Sequence, residues 1–308
     1  MTFNIIGKRY WFFLISGVVI VLGLLSWGIF GLKTGVELSS GSLLTVKFQQ
    51  DVTQEQLEEE LINLGYTDAI VQQTQPTGNY LIRTHELDTQ EKTDLESGLK
   101  AALGEFSGEI SFVNVAPLIA SETRQTAVIA VAVAAIGILA YVTWAFRRMP
   151  KPLHYGTCAI VALVHDALIA LGVFAILGAV MGWQINLMFI TGVLAVIGYS
   201  VNNTVVIFDR IRENLTRGAS ADFETVVNNS LVETLGRSLN TSLTTLIVVL
   251  ALLFFVGATI QNFVVVLIIG VIAGTFSSIC IAPSLLVVWD NNEWRRFIPR
   301  FLSRKSKA

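Results

Sequence analysis

The residues of this chain best suited to chemistry are polar side chains set inside runs that are otherwise apolar. Gly198 to Arg212 reads GYSVNNTVVIFDRIR, so two adjacent amides, Asn202 and Asn203, stand in an apolar stretch that ends abruptly in charge. An unpaired amide in hydrocarbon costs about 4 to 8 kcal/mol on an alkane scale. The pair must therefore face other helices or a water-filled path rather than acyl chains. Asp166 follows His165 in ALVHDALIALGVF, 14 residues beyond Pro152, or roughly 20 Å along a helix rising about 1.5 Å per residue. A carboxylate at that depth costs about 2.5 to 3.5 kcal/mol to insert. Two readings stand: a proton-carrying or structural His-Asp site, and a paired residue that fixes helix packing.

The spacing of the neighbours defines faces. Ser200, Asn203 and Thr204 fall at i, i+3 and i+4 on one side of a helix, with Asn202 turned about 100° away. Further on, Arg237, Thr241, Thr244 and Thr245 share the same spacing with Asn240 beside them, and the two stripes can meet if their helices are neighbours. Arg237 lies near a span end, where snorkelling to headgroups is the other account. Gly270 and Gly274, followed by Ser277 and Ser278, form a small-residue face that admits close helix approach.

These side chains need long apolar helices to hold them. The chain has 308 residues, 53% hydrophobic and 14% charged, with a mean hydropathy of +0.64, against about 25% charged in soluble domains. A span takes roughly 20 apolar residues. Six runs qualify, at 10–32, 125–146, 152–180, 185–208, 238–258 and 263–289, the last with Pro283 as an expected kink. The first run is too long for a cleaved signal core and reads as a retained anchor. Cys158 and Cys280 both fall inside runs and read as packing residues.

Charge sets the expected topology. Residues 33–124 carry a net charge of −9 and the rest of the chain +7. The basic residues outside 33–124 cluster at Lys8 and Arg9, at Arg147 to Lys151, at Arg210 to Arg237 and at Arg295 to Lys307. All four clusters share one side if six spans alternate. The positive-inside rule then places both termini in the cytoplasm and 33–124 outside. The expected parts are the cytoplasmic N-terminus and first helix (1–32), an exported domain (33–124), helices two to six (125–289) with a cytoplasmic loop at 209–237, and a basic cytoplasmic tail (290–308). Within the loop, Phe223, Val226, Val227, Leu231 and Leu235 stand near helical spacing, which suggests an amphipathic surface helix or an ordinary connecting one.

Between the first two runs the pattern changes to short alternating segments. LLTVKF (43–48), DAIVQQT (68–74), YLIRT (80–84) and EISFVNV (109–115) read as strands, with the turn-rich QPTGN between the middle two. Helices are expected at 53–65, with a capping box at Thr53 and Gln56, and at 88–104, capped by Asp88. The order β-α-β-β-α-β is that of the ferredoxin-like split βαβ. The expected fold class is thus a six-helix membrane bundle with a small α+β ferredoxin-like exported domain between helices 1 and 2. That domain has no metal-ligand set, no phosphate loop and no nucleophile beside a base. His85 reads as a solvated strand end and Glu58 to Glu60 as a solvated helix face, with a binding role for unfolded or cationic chains as the alternative.

Several segments together resemble the SecF family, the protein-export membrane subunits of the SecDF group in the resistance-nodulation-division superfamily. GYSVNNTVVIFDRIREN (198–214) is similar to that family's fourth-helix signature, HDALIALGVFAILG (165–178) to its third, ETLGRSLNTSLTT (233–245) to the start of its fifth, and VAPLIASETR (115–124) to the lead-in of its second. The resemblance implies a non-enzymatic subunit of the bacterial inner membrane, without cofactor or nucleic acid. It would pair with a SecD-like half and use the proton-motive force to promote export of unfolded preproteins through the SecYEG channel and its accessory subunits.

The resemblance also implies that Asn203 and Arg237 line the path between halves with Asn202, Thr204 and Thr241. Where the family commonly has Asp in the fourth helix, this chain has Asn203. The titrating carboxylate would then come from the partner, with Asp166, beside His165, as the second possibility. After the first helix the family's Asp-Phe-Thr-Gly-Gly is replaced by Glu37-Leu38-Ser39-Ser40-Gly41. A half-transporter for lipids or small molecules, and a structural subunit that has lost proton coupling, are the alternatives.

Overall fold

The computed structural model describes residues 3–74, 78–108, 110–220, 222–255 and 258–293. Part of the expected QPTGN turn (75–77), the start of the strand expected from 109, residues 256–257 of the fifth run and the basic tail from 294 lie outside the described residues.

In chain order the elements are α1 (Arg9–Phe30), α2 (Val36–Ser39), β1 (Gly41–Val46), α3 (Gln54–Asn63), β2 (Ile70–Thr74), β3 (Asn79–Thr84), α4 (Thr89–Leu103) and β4 (Ser111–Val115). They continue as α5 (Pro117–Ala145), α6 (Pro152–Met181), α7 (Leu187–Thr216), α8 (Phe223–Phe255), α9 (Ala258–Phe276), a π-helical segment (Ser277–Ile281) and α10 (Ala282–Asp290). Six helices among the described residues are long and apolar enough to cross a membrane, the last joining most of α9, the π segment and α10. The chain is a multi-pass membrane protein.

Local chemistry fixes many of the boundaries. Thr53 and Asp88 each close a capping box, with Gln56 and Glu91 returning the bond, which satisfies donors the first helical turn leaves open. Pro117 and Pro152 occupy first turns, where a missing N–H costs nothing. Asn186 caps α7 by accepting from the Phe189 N–H at 3.0 Å. Pro283 lacks an N–H, and the turn before it is widened: the Ala282 N–H bonds the Ser277 carbonyl five residues back.

The four strands form one antiparallel sheet in the order β2-β3-β1-β4, with Leu44 between Ile82 and Phe112. Leu44, Val46, Tyr80 and Ile82 alternate onto the face covered by Leu57, Leu61, Leu95 and Leu99, all buried. Three links tie this unit to the bundle. Gly35 N–H bonds the Ile185 carbonyl at 2.8 Å, Ile185 N–H returns to the Lys33 carbonyl at 2.7 Å, and the Arg83 guanidinium donates to the Thr34 carbonyl and the Ser39 hydroxyl. Burial holds the Arg83 guanidinium below its usual range.

In the bundle, glycines set the helix spacing. A Cβ on Gly270 would sit 2.0 Å from a Val196 methyl, and one on Gly274 would sit 3.0 Å from Ser200 Cβ, so the small-residue face receives α7.

Two helices extend past the apolar runs. That of the second span starts at Pro117, ahead of the run from 125, because the polar lead-in is helical from its proline onward. The link expected at 209–237 is largely helical: α7 runs on to Thr216 and α8 is continuous from Phe223. The amphipathic stretch is the first part of α8, and its Val226, Val227 and Leu231 are fully buried. Val227 and Leu231 pack in one cluster with Ile6, Phe208, Ile211 and Leu286. Its apolar side is spent on protein rather than on a membrane surface.

Candidate functional site

Asp166 is the centre of a buried polar network in α6, with 1% of its surface exposed. Its Oδ2 accepts from the Ser200 hydroxyl of α7 at 2.6 Å and from the Ser277 hydroxyl of the π segment at 2.9 Å. Its Oδ1 lies 3.0 Å from His165 Nδ1, and His165 Nε2 lies 2.9 Å from the Ser16 hydroxyl of α1. Successive helix residues point about 100° apart, so α6 aims Asp166 toward α7 and His165 toward α1. The Phe276 ring stacks on the imidazole at 6.1 Å. Five side chains from four elements thus make one chain of hydrogen bonds, and among the described residues no lysine or arginine is bonded to it.

A second cluster is centred on Ser242 of α8. Asn203 donates to its hydroxyl at 3.3 Å, Tyr199 at 3.0 Å, and the Thr275 hydroxyl lies at 2.7 Å. Asn203 is 3% exposed, and Thr204 is buried with its hydroxyl bonded to the Ser200 carbonyl. Asn202, by contrast, is exposed.

The expected meeting of the two stripes does not occur. Arg237, Asn240, Thr241 and Thr244 are all exposed, and Thr241 and Thr244 bond back to the carbonyls of Arg237 and Asn240. The side of α8 that faces the protein carries Val227, Leu231, Thr234, Ser238, Ser242 and Val249. Because α8 is one helix, the face chosen by Val227 and Leu231 continues at helical spacing through Ser242, and the Arg237 to Thr241 stripe is rotated out.

A third group closes the opposite end of the bundle from the sheet. The buried Arg9 guanidinium donates to Glu224 at 2.7 Å and to both carboxylate oxygens of Glu293 at 2.8 and 3.2 Å, while Tyr10 donates to Glu293 at 2.5 Å. Burial raises the Glu293 pKa, but the bonds from Arg9 and Tyr10 outweigh it and leave the carboxyl below its usual range.

Sequence reasoning did not mark Ser16 or Ser242, and it read Ser277 only as part of a small-residue face and Arg9 only as part of a basic cluster. Isolated serines in apolar runs are common, and only the i+4 series from Val227 to Ser242 carried a usable signal. His85 sits exposed beside Asp68 at 3.3 Å, stacked on Tyr66. Among the described residues no group of three or more His, Cys, Asp or Glu side chains is placed to hold a metal ion.

Comparison with known proteins adds three findings. Residues 99–292 match a family model described as "Protein export membrane protein SecD/SecF, C-terminal". The chain is 41% identical to the protein translocase subunit SecF of Thermobaculum terrenum, over 96% of this chain and 97% of that protein, and 39% identical to the SecF subunit of Anaerolinea thermophila over the same shares. The fold superposes on a crystal structure of SecDF, a translocon-associated membrane protein from Thermus thermophilus, with a TM-score of 0.83, 31% identity and 94% of this chain covered. This chain spans 39% of that longer one.

Proposed function

Given that the chain belongs to the SecD/SecF family of protein-export membrane proteins, we propose that it is the SecF-like half of a proton-driven translocase. In this reading it pairs in the bacterial inner membrane with a SecD-like half. Both termini lie in the cytoplasm, and 33–124 forms a ferredoxin-like domain on the outer side. The pair draws unfolded preproteins from the Sec channel at the expense of the proton-motive force. The strand order β2-β3-β1-β4 supports the domain assignment, and the Thermus chain, of which this one spans 39%, supports a second half.

The observation that carries the pairing is the outward polar face of α8. Arg237, Asn240, Thr241 and Thr244 stand on a helix long and apolar enough to cross a membrane, exposed to whatever lies beside it. Left against lipid, an arginine near a span costs kilocalories unless it reaches the headgroups. A partner with a complementary polar face removes that cost, and Arg237 and Asn202 then line the seam between halves. Asn203 lies behind the seam, where it hydrogen-bonds Ser242 and carries no proton itself.

The drive is sufficient in kind. One charge crossing 100 mV releases about 2.3 kcal/mol, enough to bias a conformational equilibrium tens-fold. The test is export into inverted membrane vesicles holding this chain and its SecD-like half, with and without an uncoupler. Stimulation that survives the uncoupler removes proton drive from the reading. The amide at 203 favours one other reading, a structural subunit without coupling, and Asn203→Asp separates the two: new proton dependence in the variant favours lost coupling.

A further inference from the structure

We propose that His165 and Asp166, with the hydroxyls of Ser16, Ser200 and Ser277, form a buried proton-binding site by which this chain itself carries the coupling ion. The inference rests on the translocase reading and names the group within it that takes the proton.

The geometry satisfies two charge states without moving a heavy atom. With Asp166 ionised and His165 neutral, the imidazole Nδ1–H donates to Oδ1, Ser200 and Ser277 donate to Oδ2, and Ser16 donates to Nε2. Every acceptor is filled, yet the site holds one uncompensated negative charge in the apolar interior. A buried, unpaired charge is the costly case. An incoming proton binds Nε2, the Ser16 hydroxyl rotates from donor to acceptor, and its own hydrogen turns to a helix carbonyl, as helix serines do. The site then holds a neutral imidazolium-carboxylate pair with all bonds kept. Proton release is the reverse rotation.

Among the described residues the other charges on the packed helices are distant or already engaged. On α1 the nearest charged residue is Arg9, seven positions before Ser16, or roughly 10 Å away along the helix, and it is engaged by Glu224 and Glu293. On α7 the nearest is Asp209, nine positions past Ser200, or roughly 13 Å. The final span has Asp290, 13 positions past Ser277, or roughly 20 Å. Charge on and beside α5 lies at Glu122 and Arg124 and at Arg147. On α6 the other titratable groups are His154, Tyr155 and Cys158, two turns or more before His165, and Tyr199 of α7 is bonded to Ser242.

The test is proton uptake by the purified full-length chain in nanodiscs after a pH jump, read with an indicator dye and by the infrared carboxylate and imidazole bands. Wild type takes up one proton more per chain than Asp166→Asn, an isosteric change that still accepts from both serines, and His165→Gln loses the same proton. Ser16→Ala moves the pH of half-uptake. Equal uptake by wild type and a folded Asp166→Asn overturns the proposal, as does a half-uptake pH unchanged in Ser16→Ala. Because uptake is read without a client protein, this result is separate from the export assay. Uncoupler-insensitive export by wild type sinks the translocase reading, whereas absent uptake with uncoupler-sensitive export sinks this one.

Discussion

Ser16 and His165 stand 2.9 Å apart, and seven residues beyond each, Gly23 and Gly172 meet so closely that a Cβ on either would lie 2.7 to 2.8 Å from the other's Cα. The equal offsets show α1 and α6 running parallel and in register over two turns. A glycine contact sets their separation, and a hydrogen bond sets their rotation.

Gly172→Ala therefore reverses the usual sign of a helix glycine replacement. Alanine in a helix ordinarily gains up to about 1 kcal/mol over glycine, but here the added carbon meets backbone. Overpacking of this kind costs about 1 to 3 kcal/mol. Thermal unfolding in detergent is expected to fall for Gly172→Ala, and to stay flat or rise for the unobstructed Gly137→Ala on α5.

Ser242 and Thr241 are neighbours with different duties. Ser242→Ala leaves the Asn203 amide and Tyr199 hydroxyl without their shared partner, a loss of about 0.6 to 1.7 kcal/mol for a hydrogen bond between membrane helices. Thr241→Ala removes only a bond to its own helix and stays within about 0.5 kcal/mol. Equal destabilisation of the two in unfolding titrations would contradict the orientation of α8.

Arg237→Leu separates stability from function. The side chain is exposed, so its unfolding midpoint is expected to match wild type. Export stimulated by the proton-motive force is expected to fall to the uncoupled level. Unchanged stimulation would remove Arg237 from the seam.

The Arg9 cluster gives a pH dependence with a definite sign. Glu293 is held below its ordinary value of 4.5, so its contribution to stability is complete above that value and is lost as pH falls through the lowered one. Glu293→Gln should flatten this part of the acid limb in a stability profile. Arg9→Ala, which strands two carboxylates, is expected to cost about 3 to 5 kcal/mol at neutral pH, and the double variant with Glu293→Gln to recover part of it.

Hydrophobic length, capping residues and alternation are local properties, and they made the six spans, the capping box at Thr53, the cap at Asp88 and the strand segments legible in the chain. They also marked Asp166, since a carboxylate deep in an apolar run is costly wherever the helix turns. What the residues alone left open was azimuth. Arg237 with Thr241, and Ser238 with Ser242, are equally periodic, and the choice between them falls to Val227 and Leu231, whose burial against Ile6 and Phe208 rotates the whole of α8. Likewise the partners of the His165–Asp166 pair come from α1, α7 and the π segment, as many as 261 positions apart between Ser16 and Ser277. Insertion depth is set by the run of residues itself. Which face a helix shows its neighbour depends on packing summed over every contact, and only the assembled bundle supplies that.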